Sequence, residues 1–153
     1  MAPEFYERRI APLITGESAK LISRLPSGFA VMGDTQFLPG YALLLAYPYV
    51  SQLNDLEPDA RSAFLCDMSI LGDAIREATD AKRINYSIYG NQDPFLHAHV
   101  VPRFGSEEST LATLPPLSIP ASIREAPEYA FDPERHRAIR DRIREALLAL
   151  GSR

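Results

Sequence analysis

The sequence predicts an α+β domain, and three observations carry that expectation. Short apolar and β-branched runs alternate with turn residues through the first half of the chain. One long stretch then switches to helical spacing, and a second helical stripe closes the sequence. Between these stretches lie two adjacent strand-like runs, the second of which contains His97-Ala98-His99.

The first 25 residues read as a lead-in, in which Glu17 to Leu25 makes two helical turns before Pro26-Ser27-Gly28 breaks them. Phe29 to Met32 reads as a short strand, Gly33 to Gln36 as a turn, and Pro39-Gly40 as a second break. Tyr41 to Tyr47 is a continuous apolar run bounded by turn residues, the pattern of a buried strand. From Pro58 to about Ala81, residues Ala60, Phe64, Met68, Leu71, Ile75 and Ala78 recur at spacings of three and four and mark a helical stripe. Glu57 caps that helix, and Pro58 is tolerated in its first turn because an amide there has no helical partner anyway. Cys66, on the same helix, reads as a buried small hydrophobe.

Ile84 to Tyr89 is β-branched and aromatic, Gly90 to Pro94 has turn composition, and Phe95 to Val101 is a second strand closed by Pro102. Their proximity in sequence predicts an antiparallel pair. Six of the 13 prolines fall between Pro102 and Pro133, so that segment is irregular. Its Leu111, Leu114, Leu117, Ile119 and Ile123 predict an ordered meander packed on the core. Asp132-Pro133 starts a last helix with the stripe Ile139, Ile143, Leu147 and Leu150, stopped at Gly151. The opposite face, with Arg135, Arg137, Arg140, Arg142 and Arg144 among acidic residues, reads as solvated, and His136 as a surface residue.

A length of 153 residues fits one domain. The formal charge of −4 with no basic stripe argues against a nucleic-acid partner. A single cysteine cannot form an internal disulfide and suits a reducing compartment. The charged N-terminus and the shortness of every apolar run predict a cytoplasmic protein with no membrane partner.

Strand alternation places Phe95, His97, His99 and Val101 on one face, and Leu96, Ala98 and Val100 on the other. The second set suits a core, so the histidine face borders a cleft. Three readings compete for the pair. Both residues could simply pack or hydrogen-bond; they could hold a metal, which needs a third ligand; or an imidazole could attack a phosphoryl group.

Leu96-His97-Ala98-His99-Val100-Val101-Pro102-Arg103 resembles the end of the motif of the histidine triad (HIT) family, His-φ-His-φ-His-φ-φ, often followed by Pro-Arg. The order of strand, Asp34, Pro39-Gly40, apolar strand with Pro48, Asp55-Leu56 before the long helix, and Asn-bearing turn agrees over roughly residues 29–104. Aligned on Val100-Val101-Pro102-Arg103, His99 takes the third position, His97 the middle one, and Phe95 stands where the first histidine belongs. A register shifted by two would make His99 the middle histidine but displaces Pro-Arg.

The resemblance implies a five-stranded antiparallel sheet with the long helix packed on it, in a homodimer. Residues 1–105 would form the HIT-like domain and 106–153 a Pro-rich extension with an added C-terminal helix packed on it. It also implies hydrolysis of a nucleoside phosphate derivative, either a dinucleoside polyphosphate or a nucleoside phosphoramidate, through a nucleotidyl adduct on His97. His99 would contact the phosphate, with Asn91 and Arg103 as further phosphate-binding candidates, although Arg103 has an equal claim as a structural ion-pair residue. Asp34 and Phe29 are the nucleoside-binding candidates, and Phe37 and Leu44 could also wall a base. The scheme requires no cofactor; a divalent cation could accompany a polyphosphate. The alternative is a non-catalytic nucleotide-binding relative, since Phe95 and the ending Tyr47-Pro48-Tyr49-Val50 depart from the family pattern.

Overall fold

A computed structural model describes residues 1–151. The elements are α1 (Glu4–Ile14), β1 (Leu21–Leu25), β2 (Gly28–Met32), β3 (Ala42–Ala46), α2 (Pro58–Ala78), β4 (Arg83–Ser87) and β5 (His97–Arg103). The short turns α3 (Ser109–Ala112) and α4 (Ala121–Arg124) then lead to α5 (Arg137–Gly151). The strands form one five-stranded antiparallel sheet in the order β1-β2-β3-β5-β4, the α+β architecture expected.

Each face of the sheet buries one parity of its strands. Leu44, Leu96, Ala98 and Val100 join Phe64, Leu71 and Ile75 of α2 and Ile143 and Leu147 of α5 in one core cluster. The opposite parity, including Phe29, Val31, Leu43, Leu45, Phe95 and Val101, packs under Tyr6, Ile10 and Leu13 of α1. The Tyr6 hydroxyl donates to the Ala46 carbonyl at 2.7 Å and pins α1 to the end of β3.

The N-terminal region departs from its sequence reading. Residues 4–14 are helical and 21–25 are a strand, so the expected turns over Glu17 to Leu25 are absent. Tyr6, Ile10 and Leu13 carry the helical stripe that makes α1 amphipathic, whereas Leu21–Leu25 gains its ladder only from β2. The β4–β5 pair forms as expected, with β5 running on through Pro102 to Arg103. Pairing of β5 with β3 ends at Val100, so Pro102 costs no ladder bond on that side.

α5 starts at Arg137 rather than Asp132, whose carboxylate instead accepts the Glu134 and Arg135 amides of the preceding turn. Its arginine face is solvated only in part: Arg135, Arg137 and Arg142 are exposed as expected, whereas Arg140 and Arg144 turn inward. Arg144 donates to the Ile22 and Leu21 carbonyls, both at 2.7 Å, and Arg140 to the Ala19 carbonyl at 2.7 Å. These guanidinium groups satisfy backbone acceptors around the edge strand β1. His136 is half-buried rather than a surface residue: it stacks on Phe131, and its Nδ1 accepts the Asp132 amide at 2.8 Å. Cys66 is exposed, on the side of α2 away from the stripe that buries Phe64 and Leu71, and is not a core residue. Among the described residues no helix is long and apolar enough to cross a membrane.

Gly28 is required by close approach. A Cβ there would lie 1.9 Å from the Leu45 carbonyl oxygen, a backbone atom of the neighbouring strand. Gly28→Ala is expected to lose about 3 kcal/mol by forcing β2 from β3. Gly105→Ala, where nothing lies nearer than 3.8 Å, is expected to be nearly neutral. Urea midpoints of the two variants check this.

Candidate active site

β5 is a central strand, and its register holds the histidines firmly. His97 pairs with Leu45 and His99 with Leu43 on β3, while Ser87 of β4 faces His99 from the other side. Both imidazoles line a cleft of about 650 Å³ with Tyr41, Leu43, Phe37 and Tyr89. The rings lie 5.1 Å apart between centroids, close enough to flank one bound group.

Each imidazole has a defined partner at Nδ1. His97 Nδ1 lies 2.8 Å from the Phe95 carbonyl oxygen, an acceptor only, so this nitrogen carries the proton. Nε2 is thereby left unprotonated. His99 Nδ1 shares a 2.6 Å hydrogen bond with the Tyr41 hydroxyl. Burial pushes the Tyr41 phenol up to about 12, with the Asp34 charge adding to it, so the hydroxyl keeps its proton.

Burial, the neighbouring His97 and the charge of Arg9 lower His99 to about 4. Burial also lowers His97, helped by Arg9 and opposed by the Phe95 hydrogen bond and by Asp93. Both rings are therefore neutral at pH 7. Between pH 6.5 and about 4 the unfolded chain binds more protons at His99 than the folded one. Stability is accordingly unaffected by His99 above pH 6.5 and falls on acidification through that window. The expected loss between pH 7 and pH 5 is about 1–2 kcal/mol, discounted for the partly exposed ring. Thermal melts at both pH values check it; a His99→Gln variant should show a shallower slope.

Phe95, at the first position of the motif, is buried and tilts against His97 with centroids 4.7 Å apart. Its other neighbours are Tyr6, edge-on at 5.3 Å, and Phe5 at 6.2 Å. The ring thus fills the space beside the middle histidine and ties it to α1, while its carbonyl sets the His97 tautomer.

Several candidates from the sequence reach the cleft and several do not. Asn91 lines it from the loop before β5, beside Asp93. Asp34 also lines it, with its carboxylate on Lys20 at 2.5 Å and near Arg9 at 3.7 Å. Partial burial works to raise the Asp34 pKa, but the Lys20 hydrogen bond and the charges of Lys20 and Arg9 hold it below the ordinary carboxylate value.

Phe29 is not a nucleoside contact: it is 2% exposed in the core under α1, edge-on to Tyr47. Leu44 belongs to the opposite face of the sheet. Phe37 does wall the cleft.

Arg103 is absent from the lining of the histidine cleft. It is 7% exposed, pairs with Glu107 at 2.9 Å, and donates to Asn85 Oδ1 and to the carbonyls of Leu111, Ala112 and Leu114. All its nitrogens are committed to holding the turn after β5.

The sequence reading passed over Arg9, Tyr41 and Arg124, all of which line the cleft. Tyr41 shares the parity of Leu43 and Leu45, which was available as a signal. Arg9 follows from recognising the Tyr6, Ile10, Leu13 stripe. Arg124 arrives through the Pro-rich segment, whose Phe131 amide donates to the Asp34 carbonyl at 2.8 Å and whose Tyr129 carbonyl accepts the Gln36 amide at 2.6 Å. Among the described residues no group of three histidine, cysteine or acidic side chains stands ready to hold a metal ion.

No protein-family model matches the chain. An AP-4-A phosphorylase of Mycobacterium tuberculosis H37Rv is 29% identical over 112 residues, 67% of this chain. The chain spans about half, 56%, of that relative's length. A histidine triad protein from Sinorhizobium meliloti superposes with a TM-score of 0.70 at 20% identity, covering 82% of this chain and 87% of that one. A hypothetical histidine triad nucleotide-binding protein from Sulfolobus tokodaii gives 0.69 at 14% identity, covering 93% of each chain. These likenesses extend over most of the chain and show its fold: the chain is built on the histidine triad fold.

Proposed function

We propose that the chain is a HIT hydrolase that releases a nucleoside monophosphate from a nucleoside phosphate derivative through a His97 adduct. The observation that carries this reading is the 2.8 Å bond from His97 Nδ1 to the Phe95 carbonyl, which leaves Nε2 a neutral nucleophile at the cleft. Nε2 bonds to the α-phosphorus as the phosphorus–oxygen or phosphorus–nitrogen bond to the leaving group breaks. The imidazolium so formed keeps its Nδ1 proton on the Phe95 carbonyl. In the tautomer this scheme uses, the Tyr41 hydroxyl donates across its 2.6 Å contact to His99 Nδ1, and His99 presents Nε2–H to a nonbridging oxygen where charge develops. A polyphosphate departs as an anion, whereas an amine leaves only with a proton, which water supplies because His99 is neutral and keeps its Nε2 proton on the phosphate oxygen. Water then cleaves the phosphorus–nitrogen bond on His97 and restores the imidazole.

None of these steps draws on a metal ion. A dinucleoside polyphosphate substrate is supported by the AP-4-A phosphorylase likeness over two-thirds of the chain. The expected homodimer would use α2 and the open edge of β4. The test is incubation with a diadenosine polyphosphate and with an adenylated amine, followed by rapid quench and intact-mass analysis. Release of AMP with an adenylylated protein intermediate is expected. Tight AMP binding with no turnover of either substrate would make the chain a nucleotide binder instead.

A further inference from the structure

We propose that Arg9 and Lys20, arranged around Asp34, form a ledge that binds the distal phosphates of a nucleoside polyphosphate. The inference rests on the reading of the cleft as a nucleotide site and names what that site prefers. The histidine cleft itself is poor in available positive charge. Its lining contains Arg9 and Arg124 against Asp34, Asp93 and Glu125. Arg124 is already tied to Glu125 and to the Ile119 carbonyl. Arg103, the cation next to the motif in sequence, is consumed elsewhere.

Beside the cleft lies a second hollow of about 420 Å³, and the two share Arg9 and Asp34 as their common wall. This hollow is basic: Arg8, Arg9 and Lys20 line it with Asp34 as the one acidic side chain. Asp34 stands between the cations, with Lys20 Nζ at 2.5 Å and Arg9 Nη2 at 3.7 Å. One carboxylate thus positions two cations and neutralises only one of them.

The pairing of Arg9 is loose. Its nitrogens lie 3.7 Å from both Asp34 and Asp93, beyond hydrogen-bond distance, and the side chain is 35% exposed. A phosphate offers it short charge-assisted bonds that these carboxylates do not. Asp34 keeps Lys20 if Arg9 turns away, and Asp93, 48% exposed, returns to water. A phosphate chain that starts at His97 and passes the shared wall meets Arg9 and then Lys20. The amine of a phosphoramidate has no use for such a ledge, so the arrangement selects polyphosphates.

The experiment is calorimetric titration of the full chain with adenosine, AMP and ATP without divalent ions, for the wild type, Arg9→Gln, Lys20→Gln and Arg9→Lys. The wild type is expected to bind ATP about 10- to 100-fold tighter than AMP, the scale of charge-assisted hydrogen bonds. Arg9→Gln and Lys20→Gln should each remove most of that preference while leaving adenosine affinity within about twofold, and Arg9→Lys should retain part of it. Unchanged adenosine affinity also reports an intact fold. Equal wild-type affinity for AMP and ATP, or variants that keep the preference, would overturn the ledge and leave the nucleotide reading standing. A wild-type chain that binds none of the three ligands overturns both.

Discussion

Replacing His97 with alanine or glycine is expected to lower turnover of a diadenosine polyphosphate by at least about a thousandfold, the largest effect of any single substitution in the cleft. The expectation follows from one atom. Nε2 of His97 is the unprotonated ring nitrogen held at the cleft by a hydrogen bond on the other side of the ring. Removing the ring removes the proposed nucleophile. His99, with Nδ1 on Tyr41, cannot take its place without leaving the position proposed to serve the phosphate oxygens. The adenylylated intermediate should disappear in the same variants. Added imidazole should restore part of the turnover to His97→Gly, because the vacated space beside Phe95 fits a free ring. A His97→Gly protein that still turns over at the native rate and still becomes adenylylated would refute the assignment.

Arg103→Ala is expected to be the most damaging polar substitution to stability, at about 3–5 kcal/mol. Arg103 is 7% exposed, and its removal leaves the Glu107 carboxylate, 9% exposed as a side chain, with no countercharge and only the Phe104 amide, and leaves three carbonyls of the turn after β5 without their donor. A buried carboxylate left without its countercharge costs far more than the pair contributes when intact. Glu107→Gln should cost less, since the amide oxygen still accepts from Arg103. Chemical denaturation of both variants checks the order. The measurement also decides between the two roles that Arg103 carried in the sequence. A structural clamp predicts lost stability with unchanged AMP affinity in the folded fraction; a phosphate ligand predicts the reverse.

The parts of the fold legible in the sequence are those set by local repetition. The stripe Phe64, Leu71, Ile75 on α2 is buried as its spacing required, and the two faces of β5 separate Leu96, Ala98 and Val100 from Phe95 and the histidines. The parts that were not legible lie where a partner far along the chain decides. Leu21–Leu25 is a strand because β2 lies beside it, and Arg140 and Arg144 turn inward because edge-strand carbonyls lie within their reach. Phe29 and Phe37 are equivalent in sequence, but α1 covers the first and leaves the second at the cleft.

The site divides in the same way. The sequence by itself determined that two histidines share one face of a central strand, because side-chain alternation is a property of the extended backbone alone. It also determined that the first position of the triad is a phenylalanine. Only the tertiary structure decided what that phenylalanine does, since its carbonyl reaches His97 while its ring packs under Tyr6 from the other end of the chain. The tertiary structure likewise decided which cations face the histidines. Charge acts through space, and the arginine adjacent in sequence is buried in a turn while Arg9, 88 positions before His97, stands in the cleft.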